Sequence, residues 1–96
     1  MTQEQILNEV MTYIKEKHPD AAPFIRDNIQ WAYADADKRI GYTRATCTGE
    51  SWTVTVGHAM TAEVIYDIRA EYKNEMIVWT GTIKDNTITE VGYSKR

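Results

Sequence analysis

The chain holds one cysteine, Cys47, among its 96 residues. No internal disulfide can form, which excludes a disulfide-stapled secreted scaffold. The two histidines, His18 and His58, lie far in sequence from each other and from Cys47. That gives none of the close ligand pairings of a zinc site. The glycines are scattered at 41, 49, 57, 81 and 92, so there is no glycine-rich phosphate loop. No apolar run approaches the about eighteen residues of a membrane span. Positive charge is also short. Eleven basic residues face fourteen acidic ones, a net charge of −3. A nucleic-acid binder needs a cationic footprint, and so does a protein held on an anionic membrane surface. The expectation is therefore no nucleic acid, no membrane, no metal and no cofactor.

The opening MTQEQILNEV lacks the basic-then-apolar order of a signal peptide. A cytoplasmic protein is the default expectation, and a domain of a longer exported protein would look the same.

What the sequence does have is two kinds of periodicity. Before residue 41 the apolar residues repeat at three and four; after it they alternate. Thr2 to His18 reads as a helix. Thr2 can cap it, Gln5 completes a capping box, and Ile6, Leu7, Val10, Met11 and Ile14 form its apolar stripe. Pro19 stops it. A second helix is expected over 22–39, capped by Asp20, with Pro23 in its first turn and Gly41 past its end. Ile29, Trp31 and Tyr33 also alternate at two, so a loop or strand is the rival reading there.

Five strands follow: 42–48, 51–57, 63–72, 76–83 and 87–93. The turns between them include Gly49-Glu50, Lys73-Asn74-Glu75 and Asp85-Asn86, with a connecting loop over 58–62. Short connections imply an antiparallel meander. The fold class is α+β: N-terminal helices packed on a curled antiparallel sheet of four to five strands, in one domain. Trp52, Tyr66 and Trp79 fall on one face, as core. Thr53, Thr55, Asp67, Arg69, Glu71 and Thr80 fall on the other, facing water. Gly81 inside a strand marks a bulge, a bend or a close approach; a bend that curls the sheet around a helix is expected.

The strings W-T-V-T-V-G (52–57), V-I-Y-D-I-R-A (64–70), I-V-W-T-G-T-I (77–83) and I-T-E-V-G-Y (88–93) resemble small cystatin-like and PepSY-like domains. That resemblance covers about half the chain. It implies helix against a curled antiparallel sheet, and roles in peptidase inhibition or peptide binding. Against the cystatin Q-x-V-x-G hairpin, Val and Gly match within Thr53–Gly57. Thr53 stands where the glutamine would be, and the Trp-Pro pair has no counterpart.

Catalytic sets are thin. Cys47 reads as a small buried thiol, with a Cys47–His58 pair as the reactive alternative. Asp35 and Asp37 begin like a calcium loop, but the pattern then fails. Asp67 and Glu71 flank Arg69 as surface ion pairs. The surface residues singled out for a ligand or partner are Trp31, Tyr42, His58 and Met60. The expected function is a non-enzymatic binding or protein-interaction module, with a protein or peptide partner or a second copy joined through an edge strand. The alternatives are a peptidase-inhibitor-like or peptide-binding domain, and a small enzyme with a pocket at His58, Tyr66 and Asp67.

Overall fold

Thr2 starts the first element as its chemistry demands. In the computed structural model, which describes residues 2–34, 37–39, 42–60 and 64–96 (37–39, 60 and 64 by backbone alone), its hydroxyl accepts from the Gln5 amide. The Gln5 side chain accepts in turn from the Thr2 N–H. Two orphan donors are thereby satisfied. Helix α1, Gln3–Lys17, buries Ile6, Leu7, Val10, Met11 and Ile14. It ends at His18, whose N–H bonds back to Ile14.

All sheet pairings are antiparallel. Strands β3 (Tyr42–Gly49), β4 (Trp52–Met60), β5 (Val64–Tyr72), β6 (Ile77–Lys84) and β7 (Thr87–Lys95) form a meander in that order. Two short segments, β1 (Ala32–Tyr33) and β2 (Asp37–Arg39), both pair with the outer side of β3. The sheet is thus six strands wide, not four to five, and it is not curled. The β3–β4 turn places Glu50 and Ser51 at φ 49° and 68°. The β6–β7 turn places Asp85 and Asn86 at 50° and 59°. Two consecutive positive φ values are those of the two-residue hairpin turn that matches strand twist.

The described residues between 22 and 39 do not form a second helix. A 3-10 turn, Ala22–Phe24, is followed by extended Ile25, and Asn28 then takes φ 58°. Ala21, not Asp20, precedes the turn. Burying Ile25 and Ile29 and pairing Ala32 with Thr48 outweighs the helical spacing. The alternation of Ile29, Trp31 and Tyr33 is the pattern that the chain obeys. Gly41 and Asp35 lie outside the described residues. The stretch expected as a loop after Gly57 is strand as far as Met60, with His58 paired to Thr43 and Tyr66.

The helix-side face carries Cys47, Trp52, Val54, Val56, Ile68, Ala70, Ile77, Trp79 and Ile83, all buried. Tyr66 is half-buried beside them. Trp52 donates its indole N–H to the Phe24 carbonyl at 2.8 Å. Tyr13 of α1 packs against Trp79, ring centroids 5.7 Å apart. Gly81 serves a close approach and a bulge rather than a bend. The Trp79 indole lies where its side chain would be, and a Cβ there would also come within 2.7 Å of the Thr89 carbonyl. The β6–β7 register shifts between Thr80 and Gly81, leaving Val91 as the extra residue.

Gly81→Ala should therefore destabilise the chain by about 1–3 kcal/mol in urea unfolding, the usual cost of overpacking. Trimming the ring with Trp79→Phe in the same molecule should make the double mutant more stable than the sum of the single changes implies. Strict additivity would contradict the packing.

Candidate functional site

The four residues singled out from sequence do not form one site. Trp31 packs over Gly49 at the turn end of β3. Tyr42 starts the same strand and lies over Gly57. His58 stands on the helix-side face, its ring 4.7 Å from Tyr66. Met60 ends β4, paired with Val64. The tripartite pocket of His58, Tyr66 and Asp67 is not assembled either. His58 and Tyr66 are cross-strand partners, and Asp67, one residue on, points through the opposite face. The Thr53–Gly57 segment lies inside β4 and is paired on both sides, so it presents no hairpin tip.

Cys47 is fully buried and accepts a 3.3 Å hydrogen bond from the Gln3 side chain. Burial pushes its thiol up, and the Gln3 bond offsets only part of that. A protonated, inaccessible thiol is a poor nucleophile. Among the described residues, no group of three or more His, Cys, Asp or Glu could hold a metal ion. None of the described helices is long and apolar enough to cross a membrane.

Two arrangements remain. The first is the sheet face opposite α1, on which none of the described elements lies. Its floor is threonine: Thr46 opposes Thr55, and Thr82 opposes Thr89. Arg44, Asp67 and Arg69 stand among them around a shallow depression of about 540 Å³, with Val91 of the bulge at one side. Arg69 donates to Glu71 at 2.6 Å along the same strand. Tyr42 seals Gly57 at one end.

The second is a polar relay on the helix side. The Glu90 carboxylate accepts from the Trp79 indole N–H at 2.7 Å and from His18 Nε2. The His18 ring stacks on Tyr93, centroids 3.6 Å apart and 12° between planes. Tyr93 donates its hydroxyl to Asp20 at 2.9 Å. The end of α1 is thus fastened to β6 and β7. The His18 bond first, then the Trp79 bond, hold the Glu90 carboxyl below the usual range against the opposing effect of burial. Burial, then the Asp20 bond, push Tyr93 up to about 12. His18 and Glu90 are not among the residues that the sequence singles out, because the bulge that turns Glu90 inward breaks the alternation of β7: Ile88 and Tyr93 are five apart, yet both pack on the helix side.

No known family model, curated protein or solved structure matches this chain.

The relay makes stability depend on pH at both the acid and the alkaline end. Glu90 has a lowered pKa, so its contribution is full above the ordinary glutamate value of about 4.3 and is lost as pH falls through its lower folded value. Tyr93 has a raised pKa, so its contribution is full below about 10 and is lost as pH rises towards about 12. Glu90→Gln should lower Tm at neutral pH, and the gap from wild type should close below about pH 4. Tyr93→Phe should blunt the alkaline loss. A gap for Glu90→Gln that stayed constant from neutral to acid pH would contradict the relay.

Proposed function

We propose that this chain is a non-enzymatic binding domain that receives a partner protein on the uncovered face of its sheet. One observation carries the reading: the depression spanning β3 to β7, floored by threonine and set with Arg44, Asp67 and Arg69. Antiparallel sheets often leave a face wet, so exposure alone is not the argument. The argument is the kind of surface. Threonine rows offer methyl and hydroxyl groups at fixed spacing. Charges of both signs sit at the middle of the face, where they select a partner by register more than by area. Among the described residues, Cys47 is meanwhile buried in the core, and His18 and Glu90 are engaged with each other in the relay.

A second reading rests on the unlike edges of the sheet. One edge is broken into β1 and β2, while β7 offers nine residues with no strand pairing their outer side among those described. Val91 stands 72% exposed on it. A partner strand, or a second copy of β7, could pair there. The Val91 bulge works against this, because bulges interrupt edge-to-edge pairing.

The two readings separate in one experiment. Peptides selected from a random library on the immobilised domain are titrated into the labelled protein, and the amide shifts are mapped. Binding at the open face should perturb Thr55, Arg69 and Thr80. Thr80→Arg, which fills the depression, should weaken it at least about tenfold, the equivalent of about 1.4 kcal/mol, without lowering Tm. Shifts confined to β7, abolished by Val91→Pro and untouched by Thr80→Arg, would transfer the function to the edge.

A further inference from the structure

On the helix side, away from the open sheet face, a shallow groove of about 520 Å³ runs between α1 and the start of β7. That volume is within the roughly 300–1,000 Å³ of small-molecule sites. Its floor is a half-buried apolar strip, Tyr13 of the helix and Ile88 of the strand, both packed against the core. Its helix wall carries two exposed carboxylates, Glu9 and Glu16, and none of the described residues lining it is cationic.

The placing of the charges is the informative feature. Glu9 lies four residues before Tyr13, and Glu16 three after it. The three therefore share one stripe of the helix, with the ring in the middle. Seven residues separate the two acidic positions by about 10 Å along the axis. Neither carboxylate makes an ion pair or a side-chain hydrogen bond among the described residues. Glu16 also stands in the last turn of α1, at the negative end of the helix dipole, where a carboxylate is disfavoured. The lysines on either side of it in sequence do not answer it. Lys15 bonds Asp27 at 3.1 Å. The Lys17 ammonium lies 6.0 Å from the centroid of the Tyr13 ring, the outer limit of a cation–π contact.

We propose that this groove binds an aliphatic diammonium ion: one ammonium meets Glu9, the other meets Glu16, and the methylene chain lies across Tyr13 and Ile88. The match is one of charge and of length. Ammonium groups are donors only and ionised carboxylates acceptors only. A single cation leaves one carboxylate unanswered, and a short dication cannot reach both. Exposed ion pairs are individually weak, so binding needs both ends and the chain together. Lys17 is the resident competitor for the ring. The site is independent of the partner surface on the far side of the sheet, and either can fail without the other.

The probes are α,ω-diaminooctane and α,ω-diaminopropane, titrated at matched ionic strength into ¹⁵N-labelled protein. Diaminooctane should shift the amides of Thr12, Tyr13 and Ile88 saturably, with a Kd near the millimolar range, and leave those of Thr55 and Arg69 in place. Diaminopropane carries the same charge on a shorter chain and should bind at least about tenfold more weakly. The Glu9→Gln/Glu16→Gln double variant should lose as much for diaminooctane. Lys17→Met, which removes the competing cation, should tighten it. Tm of the double variant should hold or rise, since a carboxylate leaves the negative end of the helix. No saturable shift up to about 50 mM diaminooctane, well past a millimolar Kd, would overturn the proposal. So would equal binding of diaminopropane, or diaminooctane binding unaffected in the double variant. A lower Tm for that variant would overturn it too, because the two carboxylates would then serve the fold.

Discussion

The Trp79 indole must lie along its own strand, and most of the architecture follows from that. Its ring occupies the space beside Gly81, so that position tolerates no side chain. Its N–H is buried and needs an acceptor. The acceptor is Glu90 on the neighbouring strand. The same carboxylate also accepts from His18 at the end of α1. The ring face meets Tyr13 of the same helix. One large aromatic thus ties together the bulge of the sheet, the residue of β7 that turns inward and the end of the helix. The stacking of His18 on Tyr93 and the bond from Tyr93 to Asp20 extend this to the start of the following segment.

The same constraint explains why the chain has so little free chemistry. A domain of 96 residues cannot bury a large core, so polar groups are drawn into holding it shut. His18 and Glu90 make a structural contact. Cys47 is packed at the N-terminal end of α1, and Gln3 covers it. The His58 ring packs at a tilt against Tyr66. Each of these residue types could serve catalysis elsewhere. Here geometry gives each one a structural partner: Glu90 for His18, Gln3 for Cys47 and Tyr66 for His58.

Much of this was legible in the sequence. The Thr2 and Gln5 capping box, the stripe from Ile6 to Ile14, and the alternation placing Trp52, Tyr66 and Trp79 on one face all stand as read. So do Thr53, Thr55, Asp67, Arg69, Glu71 and Thr80 on the other. These are local signals, and backbone periodicity converts them directly into sides of an element. What was not legible depended on partners distant in sequence. Ile29, Trp31 and Tyr33 fit both periods, and only the unpaired edge of β3 decides between them. His58 sits between Gly57 and Ala59, which resembles a loop until Tyr66 is placed across from it. Tyr42 and His58, both singled out from sequence, are held apart for a related reason. Tyr42 and His58 are one register step out of phase, and that step puts them on opposite faces of the sheet.

The bulge also joins the two faces structurally. Glu90 and Val91 are adjacent: the first bonds inward to His18 and Trp79, the second borders the open depression. An extra residue in β7 makes both orientations possible at once. The outward surface stays polar because its charges are locally answered, as Arg69 is by Glu71, so it does not invite collapse onto any apolar neighbour. A surface of that kind gains little from area and much from matched charge and hydroxyl spacing. The interior, by contrast, is built from ring packing that tolerates almost no change. The apolar packing and the polar face therefore occupy opposite sides of one sheet, and at the Val91 bulge β7 contributes to both.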